Sequence, residues 1–189
     1  MKVCVIGLGR VGTALLSALI SSNLDISEIS LYDKNAMLMV GQLNDARDMV
    51  EVMGKNVEIR SGVDREADVF ILTLGKPRKS GSSDFDFEAN LVSVAEVLPM
   101  CDLDKPIFLV TNPVKRLAKS IKRHFSLKQL VLIGDLLDQA REKRTGVDGE
   151  GVARFILDNK GYTNLGCVGE ILVRLKKLEA GVHGGNDAS

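Results

Sequence analysis

Apolar and polar positions along this chain follow two periods, and the periods take turns. Apolar, β-branched runs at 2–7 (KVCVIG), 28–33 (EISLYD), 56–61 (NVEIRS), 68–75 (DVFILTLG), 105–112 (KPIFLVTN) and 129–134 (QLVLIG) predict strands. Between them lie segments whose apolar residues recur three and four apart: 11–22, 36–50, 85–101 and 113–125. A further helix opens after Gly134. The 68–75 run has no polar face, which predicts a central strand; the more polar 56–61 run predicts an edge. GKPRKSGSSD (75–84) has loop composition and predicts a mobile loop. Strand and helix in strict alternation imply an α/β fold, a doubly wound parallel sheet with helices on both faces.

The rhythm changes after Arg144. TGVDGEG (145–151) is turn-like and marks a boundary. Two short helices are expected beyond it, at 151–161 and 168–181, and GVHGGNDAS (181–189) reads as a frayed end. The expected organisation is a domain over 1–144, a short helical C-terminal extension over 145–181 and a flexible tail over 182–189. Ile171, Leu172, Leu175 and Leu178 form one stripe that must be buried, either on the domain or against a second copy in a homodimer. Met37, Met39, Met49 and Met53 sit at helical spacing, as core-filling residues do.

Charge removes several functions. Lys+Arg and Asp+Glu both number 25, so no net basic field exists to hold nucleic acid or an anionic membrane surface. Apolar runs fall short of the ~20 residues that span a bilayer. Cys4, Cys101 and Cys167 are scattered and odd in number, which argues against a disulfide framework and against a metal site. Reduced thiols fit a cytoplasmic protein.

Candidate chemistry begins at GLGRVG, with Gly7, Gly9 and Gly12 as G-x-G-x-x-G between a strand and a helix. In that context Gly7 permits the tight turn, Gly9 the approach of a pyrophosphate, and Gly12 close helix–strand packing. Arg10 and Val11 lie inside the loop, and the phosphates would meet the free N–H groups of the helix N-terminus. Asp33 ends the second strand 21 residues past Gly12, close to the ~20 expected of an acid that binds the adenosine ribose. Its charge favours NAD over NADP, a preference softened by Lys34. This is the fingerprint of a Rossmann domain, and NAD is the expected cofactor. In VLIGDLLDQAREKR (131–144), Asp138 and Arg141 are three apart on one helix face, just past a strand end where open α/β sheets place ligands.

VIGLGRVG, LYDKN, GQLNDARDM, LTLGKPRKSG, VTNPV and GDLLDQAR, in that order, resemble the lactate/malate dehydrogenase family from Met1 to about Arg144. The resemblance implies hydride transfer between NAD(H) and a small 2-hydroxy or 2-oxo acid such as malate or oxaloacetate. It implies that Thr73 and Gly75 line the cofactor, that Asn90 lies near the nicotinamide, and that Asn112 contacts cofactor and substrate, with a cis bond to Pro113. Arg78 resembles the lid arginine of the malate branch. Arg141 resembles the arginine that holds the shared carboxylate, and Asp138 the acid that orients the catalytic histidine.

The chain departs from the family at two places. SGSSD (80–84) stands where a second lid arginine belongs, so Ser82, Ser83 or Asp84 replaces it. GCVGE (166–170) stands where the family carries G-E-H-G-D, which puts Val168 in the histidine's place. The base would then be His183 or come from another subunit, since His124 reads as a helix-end surface residue. The 45 residues after Arg144 are too few for the family's substrate domain. Two expectations stand side by side: an oxidoreductase, and a non-catalytic NAD-binding redox-sensing or assembly module.

Overall fold

The computed structural model describes residues 1–76, 86–160 and 162–181. Six parallel strands form one sheet: β1 (Lys2–Ile6), β2 (Glu28–Tyr32), β3 (Glu58–Ser61), β4 (Val69–Leu72), β5 (Pro106–Leu109) and β6 (Gln129–Leu132). Their spatial order is β3-β2-β1-β4-β5-β6. The order reverses between β1 and β4, and the crevice beyond that reversal is where such sheets bind ligands.

Strand position follows from composition. Every residue of β4 is fully buried, so its uninterrupted apolar run lies at the sheet centre beside β1. In β3 only Ile59 is buried, and its alternating pattern leaves it at one edge. Successive side chains of each strand point to opposite faces. Val3, Val5, Ile29, Leu31, Val69 and Ile71 pack on one face with α1 (Arg10–Ser21), α2 (Ala36–Val52) and later helices. Cys4, Ile6, Phe70, Leu72, Ile107 and Leu109 pack on the other with α3 (Phe87–Val97) and α4 (Val114–His124). The basic residues of α4 point outward, and His124 is exposed at its end.

Some boundaries moved. The 85–101 segment is not one helix: α3 is capped by Asp86, whose carboxylate accepts the Ala89 N–H, and it tightens into a 3₁₀ turn at Leu98–Met100. Pro99 has no N–H to continue the α ladder. The methionines of 36–53 do not all fill the core. Met37 is 81% exposed and Met53 43%, while Met39 and Met49 pack partly against the sheet. The helix α2 covers the edge of the sheet and buries only Ala46 completely, so its outer positions face water.

Beyond β6 come α5 (Asp135–Thr145), α6 (Gly149–Lys160) and α7 (Leu165–Glu179). The apolar stripe of α7 is buried within the chain. Ile171 and Leu175 are fully buried, and Leu172 and Leu178 pack beside them on the same core as α1. The stripe therefore gives no reason for a second copy. Small residues let the extension approach α5. A Cβ on Gly149 would lie 2.6 Å from the Asp138 backbone, and one on Gly166 would lie 2.5 Å from the Leu137 side chain.

Candidate functional site

The glycine-rich loop joins β1 to α1. Gly7 has φ +100°, and its N–H donates to the Tyr32 carbonyl at 2.8 Å. Gly12 is held so close that a Cβ would lie 1.9 Å from the Gly7 carbonyl oxygen. Thr73, at the end of β4, donates its hydroxyl to the same oxygen at 2.6 Å and locks loop to sheet. Gly9 instead faces open space, with nothing within 4 Å of its added Cβ. It is also the N-cap of α1, where no side chain takes a hydrogen bond from the first turn and no acid lies in that turn. By contrast α2, α3 and α7 are capped by Asn35, Asp86 and Asn164. The N-terminus of α1 thus offers unshared N–H groups and a positive dipole end to an anion.

Asp33 closes the loop from the side. Its Oδ2 accepts the Leu8 N–H at 2.7 Å and its Oδ1 accepts the Asn35 N–H at 2.9 Å. An ionised carboxylate has about four lone-pair positions, so each oxygen retains capacity for a ligand hydroxyl. Around it lies a cleft of about 300 Å³, lined by Gly7, Tyr32, Asp33, Asn35 and Leu38 among others.

A second cleft of about 330 Å³ shares Gly9, Thr73, Leu74 and Gly75 with the first. Arg10, Val11, Asn90 and Asn112 line it, together with Leu157 and Tyr162 from the extension. Asn90, 1% exposed, ties its far wall together. Its Oδ1 accepts the Lys76 N–H at 2.7 Å and its Nδ2 donates to the Asn112 carbonyl at 2.8 Å. Gly75 fits against it, with Asn90 Oδ1 3.2 Å from an added Cβ. The Asn112–Pro113 bond is cis. Gly7, Gly9, Arg10, Val11, Asp33, Thr73, Gly75, Asn90 and Asn112 therefore line two adjoining clefts at the sheet's reversal, and Gly12 packs beneath the loop.

Asp138 and Arg141 behave differently. The guanidinium of Arg141, 6% exposed, gives its Nη1 to Asp138 Oδ1 at 2.8 Å and its Nη2 to the Thr163 hydroxyl at 3.3 Å. The two residues hold each other. Arg141 lines a separate cleft of about 360 Å³ with Arg144, Lys160 and Thr163; only Thr163 belongs to both this cleft and the second. Val168 is a core residue, 6% exposed. Arg78, Ser82, Ser83, Asp84 and His183 lie outside the described residues.

Sequence reading missed Glu170. Its carboxylate is almost fully buried, accepts the Gly134 and Leu137 N–H groups at 2.9 and 3.1 Å, and pairs with Arg174 at 2.9 Å. It occupies the N-terminus of α5, an anion-favouring helix end. The four-residue spacing to Arg174 signals an ion pair on one helix face, but nothing local signals the helix it caps. Tyr162 was also missed. Its ring meets both the Arg10 guanidinium and the Lys160 ammonium, each 4.5 Å from the centroid.

The thiols are inert by environment. Burial pushes Cys4 up to about 11 and Cys101 up to about 12. Burial also raises Cys167, against the opposing pull of Arg141. None is a thiolate at neutral pH, which excludes them as activated nucleophiles. No cluster of metal-ligating side chains occurs among the described residues, and no helix there is long and apolar enough to cross a membrane.

Residues 1–134 match the family of the lactate/malate dehydrogenase NAD binding domain. The malate dehydrogenase of Nitrosococcus oceani is 26% identical over 179 residues, covering 87% of this chain and 57% of that protein. The L-lactate dehydrogenase of Lactobacillus delbrueckii subsp. bulgaricus is 28% identical over 191 residues, covering 94% and 62%. The chain thus spans less than two thirds of the length of these relatives. In fold it is similar to the malate dehydrogenase of Archaeoglobus fulgidus solved with NADH, with TM-score 0.76 and 21% identity, covering 94% of this chain and 77% of that one. The minor L-lactate dehydrogenase of Enterococcus mundtii gives TM-score 0.74 at 20% identity, with the same coverage.

Proposed function

This chain belongs to the lactate/malate dehydrogenase family, and from that premise we propose that it is an NAD(H)-binding protein whose described residues form a dinucleotide site without a complete proton-transfer centre. The observation that carries the binding reading is the uncapped N-terminus of α1 beneath Gly9, flanked by Asp33. The pyrophosphate sits on those N–H groups, the adenosine ribose on Asp33, and the nicotinamide end lies toward Asn90 and Asn112. Bound NADH supplies a hydride; this chain's residues orient it. Asn112 and the Asn90-braced wall offer amide groups to a carboxamide or carbonyl oxygen.

Val168, a buried core residue where the family carries its histidine, favours a binding module over a self-contained enzyme. The Asp138–Arg141 ion pair engages one Asp138 oxygen and leaves the other able to accept from a ligand or an imidazole. A malate or lactate dehydrogenase reaction on this chain therefore depends on a base outside the described residues, either His183 or a group from another subunit.

Titration of NADH by fluorescence or calorimetry tests the first claim, with micromolar-range binding expected. Failure to bind at millimolar NADH removes it. Assays of oxaloacetate and pyruvate reduction, with wild type and His183→Ala, test the second. Robust turnover that survives the alanine shows that a proton-transfer group exists elsewhere in the chain and defeats the module reading.

A further inference from the structure

We propose that Tyr162 and Leu157, residues of the C-terminal extension, form the wall against which the nicotinamide ring of the cofactor packs, so that the extension is a working part of the dinucleotide site. This rests on the NAD(H)-binding reading. Both side chains are half-buried and line the same cleft as Gly9, Arg10, Val11 and Asn112. They are supplied by the end of α6 and the link to α7, whereas the rest of the groove comes from the sheet and its loops.

The wall is held from three sides. Arg10, inside the glycine-rich loop, stacks on the Tyr162 ring at 4.5 Å. Lys160 meets the same ring at 4.5 Å, and its Nζ donates to Asn164 Oδ1 at 3.3 Å. Thr163 accepts from the buried Arg141 at 3.3 Å. A tyrosine fixed by cations in this way presents a rigid aromatic body at little entropic cost. The same cleft is lined by the exposed Asn112 and by the turn that Asn90 braces. One apolar aromatic wall and one amide wall suit a flat heterocycle that carries a carboxamide. The adenosine half of the groove, around Asp33 and Leu38, contains neither Tyr162 nor Leu157. The wall therefore discriminates between the two ends of the same ligand.

The test compares three probes on the full chain by calorimetry: NADH, ADP-ribose, which lacks the nicotinamide, and AMP, which occupies the adenosine half alone. Tyr162→Ala is expected to weaken NADH roughly 3- to 10-fold, the range of one lost aromatic packing contact. ADP-ribose and AMP are expected to stay within about twofold, since Arg10, freed from the ring, still faces the pyrophosphate. Tyr162→Phe keeps the ring and should bind NADH as wild type does. Leu157→Ala should repeat the pattern at smaller size, which keeps the proposal testable if Tyr162→Ala does not fold. Equal weakening of NADH and ADP-ribose, or no weakening of either, overturns the inference while leaving NAD binding intact. Absence of wild-type binding to NADH and ADP-ribose alike overturns the underlying reading and this one with it.

Discussion

Arg141 Nη1 lies 2.8 Å from Asp138 Oδ1, three residues back on α5, and the two ends of this contact live in different solvents. The arginine side chain is 7% exposed and the aspartate 46%. Removing Asp138 leaves a buried guanidinium with Thr163 as its remaining side-chain hydrogen-bond partner among the described residues. A fully buried pair broken this way costs several kcal/mol, but the half-exposed aspartate is screened by water. Asp138→Ala should therefore lower stability by about 1–2 kcal/mol. Urea unfolding measures it, and a loss below a few tenths would show that water already satisfies Arg141.

Glu170 is the more costly residue to change. It is buried, accepts two backbone N–H groups at the start of α5 and pairs with Arg174. Glu170→Ala strips all three partners and should cost about 3–4 kcal/mol, with Glu170→Gln intermediate because an amide oxygen in place of Oε2 still accepts both N–H groups while the Arg174 ion pair is lost. The same denaturation series checks the ranking; a glutamine variant worse than alanine would contradict it.

Gly12 tests the loop by volume alone. A methyl there would sit 1.9 Å from the Gly7 carbonyl oxygen, a backbone atom that cannot rotate aside. Gly12→Ala should cost about 1–3 kcal/mol as an overpacked site and should weaken NADH by pushing the loop away from β1. A Gly9→Ala control, whose Cβ meets nothing within 4 Å, should fold as wild type yet still hinder a pyrophosphate. Thermal melts and NADH titration of the two variants separate packing from ligand approach.

The sheet and its groove were legible because their signals are local. A continuous apolar run can lie only where both faces are covered, so VFIL marks the centre. The G-x-G-x-x-G loop and Asp33 carry backbone requirements that few other residues meet. Pro99 and Met37 misled for local reasons too: a helical period ran through a residue without an N–H, and α2 offered more apolar positions than an edge helix buries. Glu170 and Tyr162 were illegible for a different reason. Each draws its meaning from a partner far away in sequence, Gly134 and Leu137 for one, Arg10 for the other. No window along the chain contains such a pair. The Asp138–Arg141 spacing was legible, but spacing alone did not show that the two residues also bond each other.

The buried thiols give stability a sign at high pH. In the unfolded chain Cys4 and Cys101 ionise near 9; in the fold they do so at about 11 and about 12. Their folded values are raised, so their contribution is fully present below pH 9 and is lost as pH rises toward 11–12. Across that window the unfolded state releases protons that the folded state keeps, at up to about 1.4 kcal/mol per pH unit for each thiol. Stability from pH 8.5 to 10.5 should fall less steeply in a Cys4→Ala, Cys101→Ala double variant than in wild type. Identical slopes would place the alkaline loss on other groups.

Asp33 holds the loop and is proposed to hold the ribose, and the two uses can be separated. Its Oδ2 and Oδ1 already accept Leu8 and Asn35 N–H groups, so Asp33→Ser should cost about 1–2 kcal/mol of stability by leaving at least one donor unpaired. On the proposed reading the same change removes the carboxylate that would bond the ribose diol and repel a 2′-phosphate, and it leaves Lys34 beside the site. NADH should weaken by about tenfold, one charge-assisted hydrogen bond, while NADPH should bind as well as before or better. The ratio of the two affinities is the decisive reading, because a loop that has merely loosened weakens both cofactors together. Fluorescence titration of NADH and NADPH against wild type and variant measures that ratio directly. An unchanged ratio would mean that Asp33 holds the loop and never meets the ribose.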